Sequence, residues 1–347
     1  MPPTSRMAVA HLPEVASSIN AIASFLAHEQ IKSAEALELF LNTPPPDPGS
    51  GDSVNPRVVV FCASAVLSTA EDVFSWASTR TSLQSVSPQQ PDEHAIRGRS
   101  QGHAPRENFK VILVLCGGIG HSTTLLYDAV KNHPVFNVIS DEIHGKPEAL
   151  VMQAIAKQFY RLNVYSGQSR DVGTVTNNSQ GDLQILVEDQ STNCGANASE
   201  TRKVLEAHGV ERPQSIVIIQ DPTMSRRTVA SFQHVYQDIP QEQILSWPTF
   251  VPGVCVEMGQ EEPSSLASLA YKTRGQVSAI QDGLWSMDRF VDLIMGEIPR
   301  LRDDAAGYGP RGKGFIGHVE IPPGVEAAWT LVDDFLHAGG KEAQRKI

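Results

Sequence analysis

Apolar residues in this chain fall into two rhythms. Short unbroken apolar runs stand where strands buried on both faces would lie, and between them apolar residues recur every three or four positions, as on one helix face. The stretch 9–42 is helical by that measure: Val15, Ile19, Ile22, Ala23 and Leu26 share a face, and a second helix covers Ser33–Leu41 with Ser33 as its cap. Thr43–Asn55 has the composition of a loop. Arg57–Val66 reads as a strand, followed by a helix from Ser68 or Thr69 through Trp76. Residues 78–107 are polar and aperiodic, and are expected to be a disordered insert. The run from Val111 into Cys116 is the next strand, Thr123–Asn132 a helix, and His133–Ser140 a linker or short strand. Pro147 opens a helix to Tyr160, a position where its missing N–H costs nothing, with Glu148 in the dipole-favoured first turn. After a second polar insert, 166–182, come a strand at Leu183–Val187, a helix from about Ala196 to His208, a strand at Ser215–Gln220 and a helix through Tyr236. Ile244–Phe250 suits a further strand, Leu284–Met295 a helix, Pro299–Gly314 a loop and Val325–Leu336 a last helix.

Strand and helix thus alternate repeatedly, the pattern of an α/β, Rossmann-like doubly wound parallel sheet. The expected division is N-terminal helices over 1–55, the α/β core with its two inserts over 56–250, and a smaller C-terminal helical part over 251–347. In such sheets ligands bind beyond the carboxyl ends of the strands. The polar residues that follow each apolar run are therefore the site candidates: Ser64, Gly117 to Ser122, Glu188 to Asn197, and Asp221 to Arg227.

Composition narrows the class. Of 347 residues, 41% are hydrophobic and 19% charged, as in globular proteins, and a net charge of −11 argues against a nucleic-acid surface. No apolar run approaches the ~20 residues of a membrane span, and the N-terminus lacks the apolar core of a secretory leader. Cys62, Cys116, Cys194 and Cys255 are scattered without a CxxC pair, which favours reduced thiols in a cytoplasmic protein over disulfides or a zinc site. No metal site is expected; Asp303 and Asp304, adjacent in sequence, are a poor case for one.

The central stretch VILVLCGGIGHSTTLL supplies glycines for a tight turn and close backbone approach at Gly117 and Gly118, with Ser122 or Thr123 to cap the next helix. It suits either a ligand-binding loop or a plain strand-to-helix turn. In EDQSTNCGANAS, the residues Ser191, Thr192, Asn193 and Asn197 can hold a ribose or an amino-acid head group, or simply cap a helix. In DPTMSRRT, Arg226 and Arg227 sit in the first helical turn, where cations are disfavoured, so they need an anion: a carboxylate, a phosphate or Asp221 itself. The run GGIG is not a clean GxGxxG, the Walker lysine is missing, and neither GxSxG nor HExxH occurs. His121 is the best acid–base candidate by side-chain chemistry.

The motifs GGIGHST, EDQSTNCGANA, QDPTMSRRT and GEIPRLRDDAAGYGPRG, in that order, resemble the YdcF-like members of the ElyC/SanA/YdcF family, over about Leu12 to Trp329. The resemblance implies a Rossmann-like domain with a smaller C-terminal helical part that binds S-adenosylmethionine, with no reaction firmly attached. By motif, Gly117, Gly118, His121 and Ser122 match the family's glycine loop, and Glu148 its helix-opening acid. Asn193 and Asn197 match its third loop, and Asp221, Met224, Arg226 and Arg227 its fourth. The sequence departs from the pattern at Ala63 and Ser64, where the family reads Gly-Asn, and at Ala196, where an acid is common. The expected function is binding of a small molecule, S-adenosylmethionine, with no nucleic-acid or membrane partner and the oligomeric state open. The alternative is a hydrolase or transferase acting on a phosphorylated or nucleotide-linked substrate, with Arg226 and Arg227 as anion clamp and His121 or Glu148 as acid–base.

Overall fold

The computed structural model describes residues 11–43, 55–84, 110–164, 183–257, 265–272 and 283–338. Its centre is a five-stranded, all-parallel sheet of β1 (Arg57–Cys62), β2 (Val111–Cys116), β3 (Leu183–Glu188), β4 (Ser215–Ile219) and β5 (Ile244–Ser246), in the order β3-β2-β1-β4-β5. β1 and β2 run in register from Arg57 opposite Val111 to Cys62 opposite Cys116, and every residue of both is buried. Burial on both faces explains why these strands read as unbroken apolar runs.

Alternate residues serve the two faces. Val59, Phe61, Leu113 and Leu115 pack against α3 (Leu67–Gln84) and α6 (Glu148–Tyr160). Val58, Val60, Ile112 and Val114 pack against α7 (Cys194–Ala207) and α8 (Ser225–Val235). This is a Rossmann-like α/β fold. A third core joins α1 (Leu12–Ala27) to two C-terminal helices, α9 (Met287–Leu301) and α10 (Pro323–Ala338). A small antiparallel hairpin, β6 (Val254–Val256) with β7 (Leu269–Tyr271), lies beside α1. There Asn20 pairs with the edge of β6, its side chain donating to Val254 O at 2.9 Å and accepting from Val254 N at 2.6 Å.

Ser33 caps α2 (Ala34–Asn42) as expected, accepting from Ala36 N at 3.2 Å. Other boundaries move for identifiable reasons. The first strand stops at Cys62 rather than Val66, because the Ser64 hydroxyl accepts from Val66 N and turns the chain. The expected insert 78–107 begins as helix: α3 continues to Gln84, and Arg80, 5% exposed, is clamped by Glu38 of α2 at 2.7 Å. The rest of that insert from 85, and the insert 166–182, lie outside the described residues. Between α4 (Thr123–Asn132) and α6 there is no strand. His133 Nδ1 accepts from Val135 N and Phe136 N, starting a 3-10 turn and then the short α5 (Ser140–Ile143). Pro299, expected to open a loop, lies within α9. The Met295 carbonyl that it cannot serve is taken by Trp329 Nε1 at 2.9 Å. Only Ile244–Ser246 of the expected strand Ile244–Phe250 pairs with the sheet. Among the described residues no helix is long and apolar enough to cross a membrane, and no group of His, Cys, Asp or Glu could hold a metal ion.

Candidate functional site

Strand order reverses at β1, with β2 on one side and β4 on the other, so the crevice above β1 and β4 is where an open parallel sheet takes its ligand. Two carboxyl groups flank it. Asp221, just after β4, is 5% exposed. Its Oδ1 accepts from Thr223 N at 2.9 Å and Thr223 Oγ1 at 2.6 Å, and Ser64 Oγ, just after β1, lies 3.4 Å from its Oδ2. Burial pushes the Asp221 carboxyl up, against the opposing pull of Thr223, the Trp285 side chain and Ser64. On the other side Glu148 opens α6, and its Oε1 alone accepts from both Ser122 Oγ and Thr123 Oγ1, each at 2.9 Å. Burial raises this carboxyl too, and the two hydroxyls act in the opposite sense. Its Oε2 turns toward the strand ends. A Cβ built on Gly117 would meet Oε2 at 3.2 Å and Ala63 Cβ at 3.3 Å.

The glycines make close contacts within the fold itself. Gly117 adopts φ +149°, which an L side chain would strain, and its N–H donates to Glu188 O at 2.9 Å. Gly118 donates to Ser191 O at 2.7 Å, and a Cβ there would lie 2.4 Å from that same oxygen and 2.9 Å from Asp189 O. The group that approaches bare backbone at Gly118 is therefore the loop after β3. That loop is fixed by Glu188, 1% exposed, which accepts from Gln190 N, Ser191 N, Ser191 Oγ and the Cys116 thiol. Burial first, then Cys62 and Glu188, holds the Cys116 thiol protonated as that donor.

The arginines also have internal partners. Arg227 meets Glu297 of α9 in a forked pair, at 2.5 Å from Nε and 3.1 Å from Nη2, with the Glu297 side chain 2% exposed. The anion that the sequence demanded is a carboxylate of the same chain. Arg226 donates Nε–H to Phe25 O at 2.6 Å and lies 3.9 Å above the Phe25 ring, at the end of α1. Burial lowers it to about 10.

The structure thus brings Ser64 to Asp221 and Ser122 to Glu148 around β1, and draws Arg226 and Arg227 into contacts with α1 and α9. Asn193 caps α7, accepting from Ala196 N at 3.0 Å, and Asn197 is buried one turn on. His121 is exposed on the glycine loop, and Met224 is half-buried at the N-cap of α8. Thr223 lay within the expected span Asp221 to Arg227, whereas sequence reasoning did not assign Trp285 or Glu297 to the site. Glu297 carries a signal, since it falls on the stripe Phe290, Ile294, Ile298, Leu301, where a lone acid should mark a buried partner. Trp285 carries none: its side chain reaches Asp221 from a turn before α9, and its ring stacks on Phe290 with centroids 5.5 Å apart. No protein-family model matches the chain.

Proposed function

We propose that this chain binds a small nucleoside-bearing ligand, S-adenosylmethionine first among them, in the crevice above β1 and β4. One observation carries the reading: buried acids flank the crevice, while the arginines available for an anion are engaged elsewhere in the fold. Carboxylates accept hydrogen bonds from a ribose diol and attract ammonium or sulfonium charge. Ser64, Ser122 and Thr123 add hydroxyls of either hydrogen-bonding sense. This set fits a cationic, hydroxyl-bearing ligand and suits a phosphate poorly, because Glu148 itself occupies the start of α4. The motif resemblance to YdcF-like proteins of the ElyC/SanA/YdcF family supports the same ligand. On this reading the protein is a cytoplasmic small-molecule binder with no nucleic-acid or membrane partner.

Proton transfer by Glu148 is the second reading. It is favoured by a carboxyl raised through burial at the mouth of the crevice. His121, exposed on its loop, is the weaker acid–base candidate of the two.

The test is titration calorimetry with S-adenosylmethionine on the wild type, Glu148→Gln and Asp221→Asn, with pyrophosphate as competitor. Saturable binding that each variant weakens about tenfold or more, and that pyrophosphate leaves intact, is the expected result. Displacement by pyrophosphate, or full affinity in both variants, overturns the reading.

A further inference from the structure

α3 begins at Leu67, shortly after β1 ends at Cys62, so its first turn stands at the carboxyl end of the strand where the order reverses. Ser64 joins that turn to the crevice: its Oγ accepts from Val66 N at 3.0 Å and lies 3.4 Å from Asp221 Oδ2. Thr69 N donates to Val66 O at 3.2 Å, while the N–H groups of Leu67 and Ser68 have no acceptor among the described residues. Thr69 is 0% exposed, and its hydroxyl has no hydrogen-bond partner among the described residues. The Ser68 hydroxyl beside it is likewise shielded from solvent and unpartnered. Side chains on a helix lean toward its N-terminus, so both hydroxyls point to the end where the free N–H groups lie.

Hydroxyls at the neighbouring helix starts are committed. Ser122 and Thr123 donate to Glu148, Thr223 donates to Asp221, and Ser225 donates to Gln220 O and Asp221 O at 3.1 Å each. A buried hydroxyl left unpaired costs stability, and two in one turn demand an acceptor from outside the chain. Free N–H groups and the helix dipole make that acceptor an anion. Asp221, one step away through Ser64, repels a second negative charge unless the same ligand also brings a positive one. An α-amino acid head group does so, its ammonium facing Asp221 and its carboxylate the turn; a phosphate brings nothing to offset Asp221. We infer that the first turn of α3 is the subsite for the α-carboxylate of the ligand's amino-acid part, held by the Leu67 and Ser68 N–H groups and the Ser68 and Thr69 hydroxyls. The inference rests on the ligand site proposed above, and adds the place where the ligand's negative charge is read.

The experiment compares S-adenosylmethionine with its decarboxylated form, which keeps the nucleoside, the sulfonium and the amine and lacks the carboxylate alone. The wild type should prefer the first by about a hundredfold. Thr69→Val, which exchanges the hydroxyl for a methyl group of similar size, should weaken S-adenosylmethionine about tenfold and leave the decarboxylated form unchanged, while Thr69→Ser retains wild-type affinities. Ligand-free Thr69→Val should melt no lower than wild type, because the hydroxyl it loses is unpaired. A wild type without preference overturns the inference, as does a Thr69→Val variant that keeps full affinity or loses both ligands alike. A lower melting temperature would reveal a partner within the fold and overturns it too. If the wild type binds neither nucleoside, the proposed function fails separately, and the subsite is judged on L-methionine by NMR titration. Saturable shifts of the Leu67 and Ser68 amides that Thr69→Val weakens then sustain it; amides that stay still, or move alike in both proteins, overturn it.

Discussion

Gly118→Ala puts the reading of the glycine loop at risk most directly. The added Cβ would stand 2.4 Å from Ser191 O, 2.9 Å from Asp189 O and 2.9 Å from Gln190 C, all of them backbone atoms. Ordinary contact begins at about 3.4 Å, so the loop after β3 must retreat by roughly 1 Å, since no rotamer change relieves a backbone clash. That movement also stretches the Gly118 N–H to Ser191 O bond of 2.7 Å and disturbs the bonds that hold Ser191 to Glu188. Overpacking of this kind costs about 1–3 kcal/mol, and the coupled hydrogen bonds place the expectation near 3. Gly120→Ala is the internal control, because its Cβ would meet Thr192 O at 3.1 Å, a misfit of a few tenths of an ångström. Thermal melts followed by circular dichroism should show Gly118→Ala below Gly120→Ala by roughly 5 °C or more. If the two variants melt together, the loop after β3 is soft. The claim that it, rather than a ligand, fills the space at Gly118 then fails.

Further outcomes follow from contacts away from that loop. Glu297→Ala strands Arg227 inside the protein and should cost about 3–5 kcal/mol in urea unfolding. Arg226→Ala, which loses ring stacking and one bond to Phe25 O, should cost about 1 kcal/mol; equal losses would contradict the assignment of Arg227, and not Arg226, to the buried carboxylate of Glu297. Arg80→Ala should destabilise by about 2 kcal/mol, showing that the polar stretch from 78 packs against Glu38 of α2, whereas an unchanged urea midpoint would return it to the insert. His28 is lowered from 6.5 to about 4 by burial and then by the Arg226 charge. The folded state therefore binds fewer protons, and the stability His28 contributes is complete above pH 6.5 and lost as pH falls toward 4, up to about 3 kcal/mol. Asn tolerates the left-handed backbone at this position, so unfolding of His28→Asn between those pH values should lack that slope relative to wild type, and parallel profiles would refute the assignment.

The sheet was legible because its strands are buried on both faces and carry nothing but apolar residues, as in VVVFC and VILVLC. Helix starts were legible where a side chain does the capping: Ser33 and Asn193 both accept the expected backbone N–H. Failures occur where a tertiary contact overrides local composition. Residues 78–84 look like a polar linker, and are held as helix on the side where Arg80 finds a carboxylate on another helix. Pro299 looks like a helix stop, and is tolerated because an indole from α10 satisfies the carbonyl it abandons. The hairpin of β6 and β7 has strands of three residues each and leans on the Asn20 side chain, too little local pattern to announce itself.

The site was legible in its address more than in its chemistry. A rule about strand ends placed Ser64, the glycine loop and Asp221 at one edge of the sheet, and they are there. The roles shifted because glycine and arginine are as useful for joining one part of a fold to another as for holding a ligand. Gly118 admits a neighbouring loop, and Arg227 ties α8 to α9 across the third core. Both would be written into the sequence with or without a ligand. A buried carboxyl whose charge is opposed by burial is different, because it costs stability and contributes little to packing. Glu148 and Asp221 are of that kind, on opposite sides of β1, which is why the functional argument moves from the arginines to the acids.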